Sequence, residues 1–468
     1  MKNGVFAHRK GERAKLRPMH FTNAPDMFII IYGESRCAID HLLNERAGHS
    51  DEISAQKKLP ATLPEKKMTI KNNNIPEKIL ASAVELRHTL HKSAELSGRE
   101  EKTKRILIEY LSQRTSLELH DMGAWFYAAC RARGGGKKRI AFRADMDALP
   151  IDEGTALEHC SENRGVSHKC GHDGHCASLA AFAEFVDKNG CENDVFFLFQ
   201  HSEENGSGAV ECEKLIELEN IDEIYGYHNM PGFPLGSVAV HTGCAACAST
   251  GMVIRLIGRN SHASQPENGS NPAFALAELI LAVPELVKAA AVDRELESPN
   301  PMMAFGSRGM VMCTVVGASV SSRRDCERAD AFGTSAGFAH LALTIRSEDE
   351  DCMKTAEKSI EGIADMVCRR HGLSCTVSRS DPFPETRNDE GCAERVRAAA
   401  RALELSIAEW DEPFRSSEDF GYYTKKTKGA LFYIGCGESH APLHTLEYDF
   451  SDELIGIAAR LFAELAGC

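Results

Sequence analysis

Val195-Phe196-Phe197-Leu198-Phe199-Gln200-His201-Ser202-Glu203-Glu204 joins five consecutive apolar residues to a polar run that ends in two carboxylates. A run this short, apolar at every position, fits a strand covered on both faces, as in a parallel sheet between layers of helix. Working outward, Ala177 to Asp187 reads as a helix, and Arg139 to Ala144 as a strand ending at Asp145-Met146-Asp147. On the far side, Ile224 to Tyr227 reads as another short strand, ending at His228. Repetition of strand, helix and strand predicts an α/β fold with a mostly parallel sheet flanked by helices, in which ligands bind beyond the carboxyl ends of the strands. Asp145, Asp147, Glu203, Glu204 and His228 all fall at such ends.

The chain of 468 residues exceeds the size at which one core keeps growing, so a division into domains is expected. Residues 1–74 have no sustained periodicity and are expected to be a poorly ordered extension, with Met68 a candidate start. Residues 75–250 carry the first part of the α/β catalytic domain, opened by helices from Pro76 and from about Glu100 to Ser112, the second burying Ile106, Tyr110 and Leu111. Residues 251–371 read as an inserted, smaller α+β domain with three strands, at Met252 to Ile257, Met310 to Val316 and His340 to Ile345. Its two helices run from Pro272 to about Ala291 and from about Thr355 to Arg370. Residues 372–468 return to the α/β pattern, with a helix near Cys392 to Leu405, a strand at Ala430 to Ile434 and a last helix from Asp452 to Ala466.

A formal net charge of −14 argues against nucleic acid and anionic membrane as partners. The 17 cysteines are scattered along the chain, unlike the framework of a small secreted domain, which favours reduced thiols and a cytoplasmic location. No apolar run approaches a membrane span, and Met27 to Tyr32 is too short for a signal-peptide core.

The densest chemistry lies in His168-Lys169-Cys170-Gly171-His172-Asp173-Gly174-His175, where three imidazoles, a thiol and a carboxylate share one turn-prone octet. A polar surface loop would explain the octet taken alone. Thiolate and imidazole also ligate divalent ions such as Zn²⁺, Mn²⁺ and Co²⁺, and Cys170 with His172 forms a Cys-x-His pair. Glu203 and Glu204 could divide the labour, one carboxylate binding metal and the other acting as general base. With Cys170, His172 and Glu204, the isolated His228 and His444 would complete a five-donor set of N, O and S atoms.

These stretches resemble the M20 metallopeptidase family, most closely its amidohydrolase branch of aminoacylase-like enzymes and amino-acid-conjugate hydrolases. The resemblance spans about Glu77 to Ala466. It rests on Arg143 to Pro150, His168 to His175, Glu203-Glu204, His228 to Gly232, Gly258 to Ala263, Ser417 to Phe420 and Leu443-His444. It implies two divalent ions (Zn, Mn, Co or Ni) on Cys170, His172, Glu204, His228 and His444, the Cys170 thiolate being able to bridge both. Glu203 would be the general base toward a metal-activated water, and His262 the oxyanion donor, usually reaching across a homodimer. Arg346 would meet a substrate carboxylate. Asp145, Asp147 and Asp173 would support the ligands, although a strand-end Asp can also cap a turn. His159, His168, His201 and Cys176 are read as structural or exposed, and His175 is not counted as a ligand.

Where the branch has Asn before an Ile-Pro pair, this chain reads Phe332-Gly333-Thr334-Ser335-Ala336, so recognition of the substrate carboxylate is expected to differ. Asn205 where Gly is common and the link from Ala318 to Asp330 are further departures. The reading is a cytoplasmic amidohydrolase of small N-acyl or N-aroyl amino acids. A dipeptidase of the same chemistry and a catalytically silent metal-binding homologue are the alternatives.

Overall fold

The computed structural model describes residues 75–154, 156–291, 298, 300–325, 332–408, 410 and 412–468. The extension expected over 1–74, and with it Met68, lies outside the described residues. The larger sheet has seven strands in the order Glu118–Asp121, Phe126–Cys130, Asp194–Gln200, Arg139–Asp145, Glu223–Pro231, Lys428–Gly437, Val238–Ala239. Its four central strands, from Asp194–Gln200 to Lys428–Gly437, are mutually parallel, and antiparallel strands close both edges.

Side-chain alternation explains why the opening run is apolar throughout. Val195, Phe197 and Phe199 enter one core with the helices Glu77–Lys92, Glu101–Arg114, His172–Asn189, Glu390–Ala402 and Glu453–Ala466. Phe196 and Leu198 enter a second core on the opposite face, against Gly208–Cys212, Lys214–Leu218 and Gly421–Thr424. From Arg139–Asp145 the chain moves to Asp194–Gln200 on one side and then to Glu223–Pro231 on the other. The order therefore reverses at this point, where a cleft opens beyond the carboxyl ends.

The smaller sheet is wholly antiparallel, in the order Met303–Gly306, Gly309–Ser321, Phe338–Ser347, Ala248–Ile257, Ser374–Phe383. Helices Ala273–Ala290 and Glu350–Arg370 cover one face. This is the inserted α+β unit, with five strands where the sequence suggested three. Met303–Gly306 is apolar but only four residues long, too short to stand out as a strand, and Ser374–Phe383 is a polar edge strand containing Pro382, which carries no apolar signal. Ala248–Ile257 begins before residue 251 and Ser374–Phe383 follows residue 371, so this sheet draws on residues outside the 251–371 span. The chain passes between the sheets through Gly243–Ala246 and back through Thr386–Asn388, which pair with each other.

Three local expectations are corrected. Helix His172–Asn189 begins five residues earlier than its apolar periodicity, because its polar first turn is buried in the site rather than in the core. In Glu101–Arg114 the buried residues are Thr103, Leu107 and Leu111, with Ile106 and Tyr110 only half-buried. Gly309–Ser321 runs past Val316, through a bulge between Val315 and Gly317, into the segment expected to be a link. Among the described residues no helix is long and apolar enough to cross a membrane.

Candidate metal centre

Gly171 turns the chain into helix His172–Asn189 with φ of 98°, and a Cβ there would lie 2.5 Å from Asn229 Oδ1 and 2.8 Å from Tyr448 Oη. Only glycine fits so close an approach in the left-handed region. The turn sets Cys170 and His172 at the head of the cleft, both buried. Lys169, fully buried, donates to Glu153 Oε2 at 2.5 Å and to the Tyr448 carbonyl at 2.8 Å, while its own carbonyl accepts from the His444 amide at 2.8 Å. The octet and the His444 loop, far apart in sequence, are thereby held together.

Cys170 Sγ lies 3.3 Å from Nε2 of His228 and 3.3 Å from Nε2 of His444. The Nδ1 of His228 meets the Asn229 carbonyl at 2.7 Å, which leaves Nε2 as the open nitrogen. His172 is arranged alike: Nδ1 meets the Asp147 carbonyl at 2.9 Å and Asp147 Oδ1 at 3.2 Å. Its Nε2 is buried without a hydrogen-bond partner among the described residues, 3.7 Å from Glu204 Oε1 and 4.0 Å from Glu203 Oε2. Glu204 Oε1 is likewise buried and unpartnered, 3.7 Å from His444 Nε2. Orphaned buried polar atoms are costly, and here they face one another. Donor atoms of Cys170, His172 and His228 lie within 4.8 Å of one another, as do those of Cys170, Glu204 and His444. The two groups share Cys170, and their N, O and S donors fit a pair of divalent ions.

Charge supports that fit. Burial, reinforced by Glu418 and Glu204, pushes the Glu203 carboxyl well above the usual range, and burial brings Glu204 up to about 7. Burial and Glu204 also push the Cys170 thiol up, while burial and His175 hold His228 neutral. Arg143, buried behind these groups, is committed to Asp145 at 2.5 Å and Asp419 at 2.9 Å. The cleft holds more buried carboxylate than cation, an imbalance that bound divalent ions would relieve.

The supporting aspartates do different things. Asp147 is the acceptor on His172, and it also takes the Glu204 amide at 3.0 Å and Ser97 Oγ at 2.7 Å. Asp145 holds His175 Nδ1 at 2.6 Å and stands 3.8 Å from His172 Nε2, so it orients His175 rather than a candidate ligand. His175 in turn meets Asn229 Oδ1 at 2.6 Å, a bridging position the octet's pattern did not reveal. Asp173 faces away, to Arg87 Nε and His91 Nδ1, each at 2.8 Å, where it anchors the start of the helix.

A cavity of about 270 Å³ is lined by Cys170, Glu203, Glu204, His228 and His444 together with Met230, Ser416, Ser417, Glu418, Tyr433 and Leu443. Arg346 reaches this wall by donating to Ser417 Oγ at 2.8 Å and the Arg415 carbonyl at 3.0 Å. His262 does not: it is exposed on the short strand Ser261–His262, with Nδ1 2.7 Å from Ser264 Oγ. Glu418 Oε2 and Tyr433 Oη are buried without a hydrogen-bond partner among the described residues, Glu418 Oε2 lying 3.9 Å from Arg143 Nη1. Glu418 lies within the Ser417 to Phe420 motif, a signal the sequence reading left unassigned, whereas Tyr433 sits in an apolar strand that gave no signal.

Comparison with known proteins places this geometry in context. The model of peptidase family M20/M25/M40 matches residues 141–467. The chain is 27% identical over 385 residues to hippurate hydrolase of Campylobacter jejuni, covering 81% of this chain and 94% of that protein. It is 27% identical over 386 residues to N-acetyldiaminopimelate deacetylase of Exiguobacterium sibiricum, covering 81% and 97%. A dinuclear metal-binding peptidase of the M20 family from Bacillus subtilis superposes with a TM-score of 0.67 at 22% identity, covering 84% of this chain and 98% of that one. At that identity the likeness is one of fold.

Proposed function

The chain belongs to peptidase family M20/M25/M40, and from that premise we propose that it is a binuclear metal-dependent amidohydrolase cleaving small N-acyl or N-aroyl amino acids. One observation carries the reading: two groups of candidate ligand atoms, one holding the unpartnered His172 Nε2 and the other the unpartnered Glu204 Oε1, meet at Cys170 Sγ beside the buried carboxyl of Glu203. Cys170, His172, Glu204, His228 and His444 would hold two divalent ions, Zn, Mn, Co or Ni. When bound, such ions bring the pKa of a water from about 15.7 towards about 7 and polarise a carbonyl.

The chain's own residues supply the rest. Burial, reinforced by Glu418, raises the Glu203 carboxyl above the ordinary carboxylate range, which strengthens it as a base. It takes a proton from the attacking water and returns one to the departing amine. Asp147 keeps Nε2 of His172 turned into the cleft. Arg346 is half-buried and its hydrogen bonds go to neutral acceptors, which leaves its charge for a substrate carboxylate. His262 lies off the cavity in its own chain, and a second copy in a homodimer would bring it to the scissile carbonyl as an oxyanion donor. The names of the relatives, a hippurate hydrolase and a deacetylase, favour an acylated amino group over the free amine of a dipeptide.

The test is turnover of N-acetyl amino acids, N-benzoyl amino acids and dipeptides by enzyme reconstituted with each metal in turn. Acyl substrates are expected to be cleaved at least tenfold faster than dipeptides. The reverse preference would make the protein a dipeptidase, and no turnover with any metal would overturn the enzymatic reading.

A further inference from the structure

Three pairs of cysteines have neighbouring thiols: Cys244 with Cys247, Cys368 with Cys375, and Cys191 with Cys468. Burial separates them. Cys244, Cys247 and Cys368 are buried, which keeps reagents from them. Cys191 is half-buried and Cys468 exposed, so a small reagent can reach both.

The local structure poises this third pair. Cys191 follows the end of helix His172–Asn189, where Gly190 turns the chain with φ of 77°. Its sulfur lies 3.0 Å from the Ala466 carbonyl, which also accepts from Asn193 Nδ2 at 2.8 Å. Those contacts hold the end of helix Glu453–Ala466 against the Cys191 loop. Gly467 then turns back with φ of 74°, and the Cys468 amide bonds the Ala463 carbonyl at 3.0 Å, which brings the second thiol to the first. The Cys468 thiol and the backbone amides of Asn193 and Glu192 stabilise charge on Cys191 and bring it down to about 7.

We propose that Cys191 and Cys468 form a reversible disulfide, with Cys191 as the attacking thiol and Cys468 as the resolving one. The Cys191 thiolate attacks one sulfur of a low-molecular-weight disulfide, whose S–S bond breaks to release one small thiol and leave a mixed disulfide on Cys191. Cys468, giving up its proton, attacks the Cys191 sulfur and expels the second small thiol. Two protein thiols lose two electrons and two protons, and the small disulfide gains both. The bond staples helices that already pack together, Phe182 and Phe462 having ring centroids 5.8 Å apart. It lies at the opposite end of helix His172–Asn189 from His172, about 27 Å away, so it acts on stability and not on the metal centre.

Glutathione disulfide is the probe, applied to the full chain and read by intact mass and peptide mapping, independently of any hydrolytic activity. The wild type should lose two hydrogens with residues 191 and 468 linked, should unfold at a higher temperature than its reduced form, and should revert with dithiothreitol. Cys468→Ser should stop at glutathione on Cys191 and show no such rise in unfolding temperature. An unmodified Cys191, or linkage of Cys191 to the nearby Cys130, or loss of two hydrogens at Cys191 in Cys468→Ser, would each overturn the assignment.

Discussion

The Sγ of Cys170 stands 3.3 Å from Nε2 of His444, although 274 positions separate them in the chain. The contact depends on Lys169, whose carbonyl accepts the His444 amide, and it makes Cys170 the atom common to both donor groups. On the proposed two-ion site, Cys170→Ala should therefore reduce metal content from two ions per chain to one or none, as measured by elemental analysis after dialysis. Retention of both ions would show that the sulfur is not a shared ligand.

Glu203 separates binding from chemistry. Its Oε1 accepts a long bond, 3.4 Å, from the Asp419 amide, and a glutamine oxygen could accept the same bond. Glu203→Gln should then fold and bind metal as the wild type does while kcat falls by about 10²–10⁴. Activity within a factor of a few of the wild type would remove Glu203 from its role.

Gly171 tests the architecture of the octet. A methyl group there meets Asn229 and Tyr448 and forces a side chain into the left-handed region. Gly171→Ala should cost about 1–3 kcal/mol in denaturant unfolding and weaken metal binding by displacing Cys170 and His172. A variant as stable as the wild type would show that the turn tolerates a side chain.

How much of this was legible in the sequence depended on whether the signal was local. The run from Val195 to Phe199 announced a strand covered on both faces because each residue has a core on its own side. The candidate ligands were legible because short polar motifs interrupt apolar strands. Arg87 gave no such signal: it is fully buried and binds Asp173, Asp449 and Asp452, but its partners lie 86, 362 and 365 positions away. Tyr433 reads as one more apolar strand residue until its hydroxyl is seen to face the cavity wall without a partner. Edge strand Ser374–Phe383 was missed because its pairing with Ala248–Ile257 asks little of its side chains.

The network around Arg87 predicts an alkaline limit to stability. His91 is buried between Asp173 and Glu153, each 2.8 Å away. Burial alone would lower its pKa, but the two carboxylates outweigh that and bring it to about 9 from 6.5. The folded state thus holds the proton more tightly than the unfolded chain. Its contribution, on the order of 3 kcal/mol, is complete below about pH 6.5 and is lost as pH rises through about 9. Unfolding midpoints of the wild type should fall across that window, and His91→Gln should flatten the fall. An equal decline in the variant would assign the alkaline limb to other groups.

His262 offers the sharpest test of assembly, because in its own chain it is exposed and absent from the cavity wall. If it serves the site of a second copy, Glu203→Gln and His262→Ala chains are each inactive alone, for different reasons. In a mixed dimer, the site with an intact Glu203 faces an intact His262 from the other chain. Random exchange in a two-fold dimer makes half the dimers mixed, each with one working site, so the mixture should recover about a quarter of wild-type activity. If His262 acted within its own chain, every site in the mixture would lack one of the two groups and activity would stay at the level of the separate variants.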